Sequence, residues 1–227
     1  IKPLMSNYLK KLDQKLLNSG FNCPLLLMTS GGTLTNISSA CNNPVRLVES
    51  GPAGGAILAT SIAEDMNLSK VISFDMGGTT AKITIIENKK AIKAREFEVD
   101  RKARFKKGSG YPLRIPVIEM VEIGAGGGSI ARVNKLEQII TGPDSAGSFP
   151  GPACYSNGGS MPTITDADLV IGKINPDNFA GGKIKLSKQL ADKAITENIV
   201  KFVNIDNNIA ALAISEIVDE TMSNAAR

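Results

Sequence analysis

The amino-acid sequence predicts an α/β fold, and three observations carry that expectation. Short apolar runs bounded by glycine, at residues 25–28 and 71–86, read as buried strands. Residues Leu4, Tyr8, Leu9, Leu12 and Leu16 recur at helical spacing, and residues 187–227 carry a helical pattern again. With 42% hydrophobic and 21% charged residues over 227 positions, the chain sits in the ordinary globular range and can bury a core without metal or disulfide staples.

Taken in order, the first helix covers residues 4–18 and closes at Asn18-Ser19-Gly20. Pro24 leads into the strand at 25–28, which ends in the two-glycine turn Thr29-Ser30-Gly31-Gly32-Thr33. Residues 45–49 read as another short strand. Ser50-Gly51-Pro52-Ala53-Gly54-Gly55 then reads as a glycine loop opening onto an apolar helix through Ala63, a place where free backbone N–H groups can hold an anion. Residues 71–99 predict three consecutive antiparallel strands, with Asp75 at the first bend and a polar reversal at Glu87-Asn88-Lys89-Lys90. Residues 117–121 fit a strand or a buried helix equally. Residues 141–163, rich in glycine and proline, read as a long loop that is either functional or tied down by packing. Thr165-Asp166-Ala167-Asp168 resembles a helix start, Gly181-Gly182 marks a break, and Ile209, Leu212, Ile214 and Ile217 fall roughly on one face of the final helix.

Composition narrows the chemistry. The chain has no histidine, which removes the commonest zinc ligand and the commonest general base. Cys23, Cys41 and Cys154 are odd in number and show no paired spacing, so a disulfide framework is not expected and a reducing, cytoplasmic compartment is. The densest basic patch, residues 101–107, is short and carries a single aromatic, Phe105, rather than a set of stacking rings, which argues against nucleic acid as a partner. No apolar run approaches the ~18 residues of a membrane span. The chain opens Ile1-Lys2-Pro3 and stops within a helical pattern at Arg227, so a piece of a longer protein is the expectation.

The turn at residues 75–80 carries the strongest functional signal. Phosphate binding needs several N–H groups converging on one point without side chains in the way, and Gly77 and Gly78 permit that approach. The Thr79 and Thr80 hydroxyls can add hydrogen bonds, and Asp75 is placed to hold a hydrated Mg²⁺ bridging phosphate oxygens. Because the turn joins strand to strand, it is neither a Walker loop nor a dinucleotide fingerprint. The run Gly124-Ala125-Gly126-Gly127-Gly128-Ser129 is either a second anion nest or a flexible loop. Lys82 either steadies a phosphate or is a surface lysine. Cys154 is either a nucleophile or, with no histidine to activate it, a small buried hydrophobe. Asp166 and Asp168 either ligate a cation or serve the helix start.

Read together and in order, seven strings resemble one family. They are Met28-Thr29-Ser30-Gly31-Gly32, the run from Ser50 through Gly55, Phe74-Asp75-Met76-Gly77-Gly78-Thr79-Thr80-Ala81-Lys82, the run from Glu122 through Ser129, Gly142-Pro143-Asp144-Ser145-Ala146-Gly147, Pro150-Gly151-Pro152-Ala153-Cys154-Tyr155, and Thr163-Ile164-Thr165-Asp166-Ala167-Asp168-Leu169-Val170. The set resembles the hydantoinase A / 5-oxoprolinase family, densely from about Met28 to Lys173. The resemblance implies an actin-like, ribonuclease-H-type ATPase fold, a mixed sheet flanked by helices, of which residues 1–227 are the central part. The segment from Asp75 to Lys82 is similar to the hairpin of the second, phosphate-binding lobe. The family's first lobe and C-terminal glycine motif are absent from this stretch, which by itself is expected to bind ATP poorly and be inactive.

The implied activity is ATP-dependent hydrolysis of C–N bonds in cyclic amides of the hydantoin or 5-oxoproline type. ATP and Mg²⁺ serve it, phosphorylating a substrate oxygen, with a hydantoinase B-type partner subunit or region completing the reaction. Ala81-Lys82 resembles the hydantoinase branch more than the oxoprolinase branch. The alternatives are an acetone-carboxylase-type subunit, a sugar-kinase-like ATPase, and a non-catalytic nucleotide-binding module. The site residues implied are Asp75 for catalysis and metal, and Gly77, Gly78, Thr79, Thr80, Lys82, Gly124, Gly126, Gly127, Gly128 and Ser129 for the phosphates.

Overall fold

The computed structural model describes residues 1–99 and 108–227, so the basic patch at 101–107 lies outside the described residues. The chain forms an α/β structure of two compact units, Ile1–Asp75 with Lys82–Val121, and Met76–Ala81 with Glu122–Arg227. Among the described residues the strands fall into five small sheets rather than one mixed sheet.

In the first unit, α1 (Lys2–Asn18) starts with Pro3 in its opening turn, where the missing N–H costs nothing, and buries Leu9. Strands β1 (Leu26–Met28) and β2 (Leu34–Asn36) form an antiparallel hairpin with Leu27 opposite Thr35. Its turn needs glycine at 32: φ is +74°, and a Cβ there would lie 2.7 Å from Ile57 Cδ1 and 2.9 Å from Ile118 Cδ1. The short helix α2 (Ile37–Asn42) is capped by Asn36, whose side chain accepts from the Ser39 N–H at 2.8 Å. The strand expected at 45–49 is instead a 3₁₀ turn, Pro44–Leu47. Pro44 fixes φ at its first position, and Arg46 N–H and Val48 N–H close on the Asn43 and Val45 carbonyls.

The glycine loop expected before the next helix is itself helical, since α3 spans Ser50–Asp65 and begins directly after Glu49, held in the left-handed region at φ 56°. Alanines 53, 56 and 63 are its buried face, and Ala53 and Ala56 form a core with Ile118. Neighbouring atoms leave room for a methyl at Gly51, Gly54 and Gly55, so packing does not account for these three glycines.

Strands β3 (Lys70–Met76) and β4 (Ala81–Glu87) pair as expected, with no helix in residues 71–86. A four-residue link admits only the antiparallel direction. The reversal after β4 places Asn88 and Lys89 at φ 50° and 62°, the conformation of a tight hairpin loop. The third expected strand, 91–99, is broken into β5 (Lys90–Ala91), β6 (Lys93–Ala94) and β7 (Phe97–Val99). The break has a physical cause: each piece pairs with a different strand. β5 pairs with β4, β6 with β9 (Val117–Ile118), and β7 with β8 (Tyr111–Leu113). Residues 117–121 are therefore strand, and β10 (Val121–Ile123) follows.

The second unit combines the antiparallel pair β11 (Ser129–Val133) and β12 (Ile139–Ser145) with helices α4 (Ile164–Val170), α5 (Lys188–Ile195), α6 (Lys201–Val203) and α7 (Asn207–Ala226). The expected loop at 141–163 thus begins as strand, carried through Gly142 and Pro143 to Ser145, and the remainder is tied down, with Gly151, Pro152, Ala153 and Cys154 buried. α4 packs against α5 and α7. On α7 the buried residues are Ala210, Ala211, Ile214, Ser215 and Val218, so of the expected face only Ile214 is buried. Ile209 and Leu212 are exposed, because α7 turns its small residues toward α4. Among the described residues no helix is long and apolar enough to cross a membrane.

A polar cluster joins α4 to α7. Lys173 Nζ donates to Ser215 Oγ at 2.7 Å and pairs with Asp219 at 3.2 Å, while Ser215 Oγ donates to Asp168 Oδ1 at 2.9 Å. Burial pushes the Asp168 carboxyl above the ordinary aspartate range, with Ser215 and Lys173 opposing the rise and Asp219 adding to it. A raised value means that the protonated form is favoured in the fold. The stability it contributes is complete below the ordinary aspartate value of ~4 and is lost as pH rises through the raised one. Unfolding midpoints followed upward from about pH 4 are therefore expected to fall less for Asp168→Asn than for the unsubstituted protein.

Candidate functional site

Residues 77–80 form the tip between β3 and β4, closed by Gly77 N–H donating to Thr80 O at 2.9 Å. Gly77, Gly78 and Thr79 are exposed and Thr80 is half-buried. The loop 126–128 lies against this tip within the same unit. Gly127 N–H donates to Gly77 O at 3.0 Å, and Gly128 N–H to Gly78 O at 2.7 Å.

Peptide planarity makes these two bonds directional. In a trans peptide the C=O and the following N–H point to opposite edges. With the Gly77 and Gly78 carbonyls turned toward 127 and 128, the N–H groups of Gly78 and Thr79 are turned away from them. Among the described residues neither N–H has an acceptor. Two adjacent N–H groups without acceptors, on two exposed residues, suit an oxyanion of phosphate type.

The close approach explains the glycines. A Cβ at Gly126 would lie 2.6 Å from Thr79 N and 2.7 Å from Gly77 O; at Gly128 it would lie 2.9 Å from Gly78 O. The N–H groups of this loop all have protein acceptors: Gly126 on Ser129 Oγ at 3.0 Å, Gly127 and Gly128 on the tip, and Ser129 on Gly126 O at 2.9 Å. Ser129 is buried with its hydroxyl turned into its own loop, and Gly124 is half-buried at the loop's start.

Asp75, at the end of β3, is exposed and belongs to the first unit, where its Oδ2 lies 3.7 Å from the position a Cβ would take on Gly55. Among the described residues no group of three or more Cys, Asp or Glu side chains is arranged to hold a metal. A single carboxylate still suits Mg²⁺, which keeps several waters and takes the rest of its shell from phosphate oxygens. Lys82 is only 15% exposed at its side chain and pairs with Glu49 at 3.5 Å. The residue that charge reasoning missed is Glu49, 33 positions earlier and placed beside Lys82 only by the fold.

Of the two readings of Asp166, service at the helix start is the one the structure shows, and its hold on the Ala153 and Cys154 N–H groups is what sequence reasoning missed. Its carboxylate is fully buried and accepts from Cys154 N–H at 2.7 Å, Ala153 N–H at 3.2 Å, Thr163 N–H at 2.8 Å and the Thr163 hydroxyl at 2.8 Å. With Thr163 as N-cap, it completes a capping box at the start of α4. Cys154 is buried, and burial together with the neighbouring Asp166 carboxylate pushes its thiol pKa far up, so it is a core side chain and not a nucleophile.

The family model described as hydantoinase/oxoprolinase matches residues 1–227. An uncharacterised protein of Methanocaldococcus jannaschii is 44% identical over 230 residues, covering 100% of this chain and 34% of its own. The caprolactamase α subunit of Pseudomonas jessenii is 31% identical over 227 residues, covering 100% of this chain and 31% of its own. The crystal structure of that ATP-dependent caprolactamase superposes with a TM-score of 0.71 over 99% of this chain. Nucleotide-free acetone carboxylase, an enzyme of ATP-dependent acetone carboxylation, superposes with a TM-score of 0.80 at 28% identity, over 95% of this chain and 29% of its own. The chain thus spans about a third of the length of the relatives it matches.

Proposed function

We propose, since this chain belongs to the hydantoinase/oxoprolinase family, that it supplies the phosphate-holding part of an ATP-dependent hydrolase acting on cyclic amides. The observation that carries the reading is the pair of outward N–H groups of Gly78 and Thr79 on a tip braced from behind. Phosphoryl transfer is catalysed mainly by positioning and charge neutralisation, so the absence of histidine does not count against it. ATP would supply a phosphoryl group to a substrate oxygen and so turn a poor leaving group into a good one. In this reading Gly78 and Thr79 hold phosphate oxygens through their N–H groups, and the Thr79 and Thr80 hydroxyls add to them. Gly126, Gly127 and Gly128 act by fixing the tip, and Ser129 by fixing their loop. Lys82, which pairs with Glu49, would steady a phosphate by its charge, and Asp75 would hold Mg²⁺.

The likeness to acetone carboxylase supports a second reading, in which the activated oxygen belongs to an enolate awaiting carboxylation. Both readings share the same phosphate chemistry, and they separate on whether ATP turnover of the full-length protein is stimulated by a lactam or hydantoin or by a ketone with bicarbonate. The subunit naming of the caprolactamase relative supports a partner subunit, which in this reading is of hydantoinase B type. An actin-like two-lobed site, with residues 1–227 in its second lobe, agrees with the chain spanning about a third of its relatives.

The experiment is Gly78→Ala in the full-length protein. No atom lies within 4 Å of a Cβ at this position and φ is not positive, so the fold accepts the methyl. A methyl beside the two N–H groups is expected to weaken Mg-ATP binding about tenfold, the loss of roughly one hydrogen bond to a charged group, with the unfolding midpoint unchanged. Unaltered affinity by calorimetric titration would remove the tip from the nucleotide site.

A further inference from the structure

We infer that Thr165 is a positioning residue for phosphate binding, setting the direction of the Thr79 N–H through two intervening peptide groups. The inference rests on the nucleotide reading of residues 77–80.

Thr165 is 6% exposed, and both its N–H and its hydroxyl donate to Gly127 O, each at 2.8 Å. That carbonyl shares a peptide plane with the Gly128 N–H, which donates to Gly78 O at 2.7 Å. The Gly78 carbonyl in turn shares a plane with the N–H of Thr79, an exposed residue, and that N–H has no acceptor among the described residues. Because trans peptides hold C=O and N–H on opposite edges, the sequence of bonds runs one way, from Thr165 to the tip. Each bond also polarises the next, so two donors on Gly127 O make the Thr79 N–H a better donor.

Helix capping does not explain the hydroxyl of Thr165. The N-cap hydroxyl at the start of α4 comes from Thr163, leaving that of Thr165 directed out of the helix. The device is held rigidly: Asp166, the next residue, is fixed by its four hydrogen bonds to Ala153, Cys154 and Thr163. Gly127 is fitted to it, because a Cβ there would lie 2.7 Å from Thr165 Oγ1. Three otherwise separate motifs, the tip, the glycine loop and the start of α4, are thereby one assembly within the second unit.

The test compares Thr165→Val, which keeps the volume and loses the hydroxyl, with Thr165→Ser, which keeps it, in the full-length protein. Thr165→Val is expected to raise KM for ATP about tenfold with a smaller fall in kcat, and Thr165→Ser to stay within about twofold of the unsubstituted protein, one hydrogen bond being the difference. A hydroxyl that served folding alone would lower the unfolding midpoint and leave KM for ATP where it was, and that result overturns the inference. Amide hydrogen exchange on the unsubstituted protein provides an arm that needs no variant. Gly127 and Gly128 are expected to be protected already in the free protein, and Gly78 and Thr79 only after Mg-ATP is added. Unprotected Gly127 and Gly128 in the free protein overturn the positioning role even if ATP binds. An unsubstituted protein that neither binds nor turns over ATP defeats the nucleotide reading itself.

Discussion

Asp75→Ala is expected to abolish ATP turnover, a fall of at least about a hundredfold, in a protein that remains folded. The two halves of this expectation come from different properties of the same side chain. Asp75 is exposed at the end of β3, and no hydrogen bond or ion pair holds its side chain among the described residues. Removing a side chain of that kind changes stability by no more than about 0.5 kcal/mol. Its carboxylate is nevertheless the acidic group adjoining the tip in sequence, and a metal bridging phosphate oxygens needs one or two such ligands. Without the metal, charge on the transferring phosphoryl group is left uncompensated. Steady-state turnover with Mg-ATP, measured beside a thermal melt, tests both halves. An unchanged kcat would show that the metal is held elsewhere, whereas a collapsed melt would show that Asp75 serves the fold.

Gly126→Ala is expected to reduce turnover about a hundredfold for a different reason. The added methyl would stand 2.6 Å from Thr79 N, 2.7 Å from Gly77 O and 2.7 Å from Gly78 C. All three are backbone atoms, so no rotamer change relieves the contact, and either the tip or the loop must shift. Overpacking of this kind costs about 1–3 kcal/mol in stability. A displacement of the tip approaching ~1 Å is enough for a hundredfold loss of rate. The comparison with Gly78→Ala is instructive, since one glycine adjoins open space and the other adjoins backbone. Kinetics and melts of the two variants should therefore separate cleanly: lost affinity with an intact fold at 78, and lost rate with a weakened fold at 126. Normal turnover by Gly126→Ala would mean that the site tolerates movement of the tip.

The parts of this site that were legible in the sequence are those encoded locally. The apolar runs on either side of Met76-Gly77-Gly78-Thr79-Thr80 specify two strands and a tight link, and both strands are present. The glycine-rich run was visible, but its purpose was not. Its N–H groups meet Gly77 and Gly78 across about fifty positions of chain, and nothing in the local pattern distinguishes a loop that meets a ligand from one that meets another loop. The same holds for Thr165 on Gly127 and for Glu49 on Lys82, pairings made by the fold. Residues 91–99 alternate well enough for one strand, yet they exchange partners twice, and partner exchange leaves no trace in periodicity. At 45–49 the local signal was present and misread, since Pro44 after Asn43 favours a turn over an extended start.

The three thiols of this chain form a graded set of probes. Cys23 is exposed, Cys41 is half-buried and Cys154 is buried, and none is in a disulfide. At neutral pH a maleimide will therefore reach Cys23 first. The Cys154 thiol is both shielded and held protonated by its surroundings, and its backbone N–H is clasped by Asp166. It can react only when the segment around it opens. Its slow labelling phase, followed by mass, is thus a built-in clock for opening of the second unit, and a nucleotide gripping the tip should slow that clock without any engineered label.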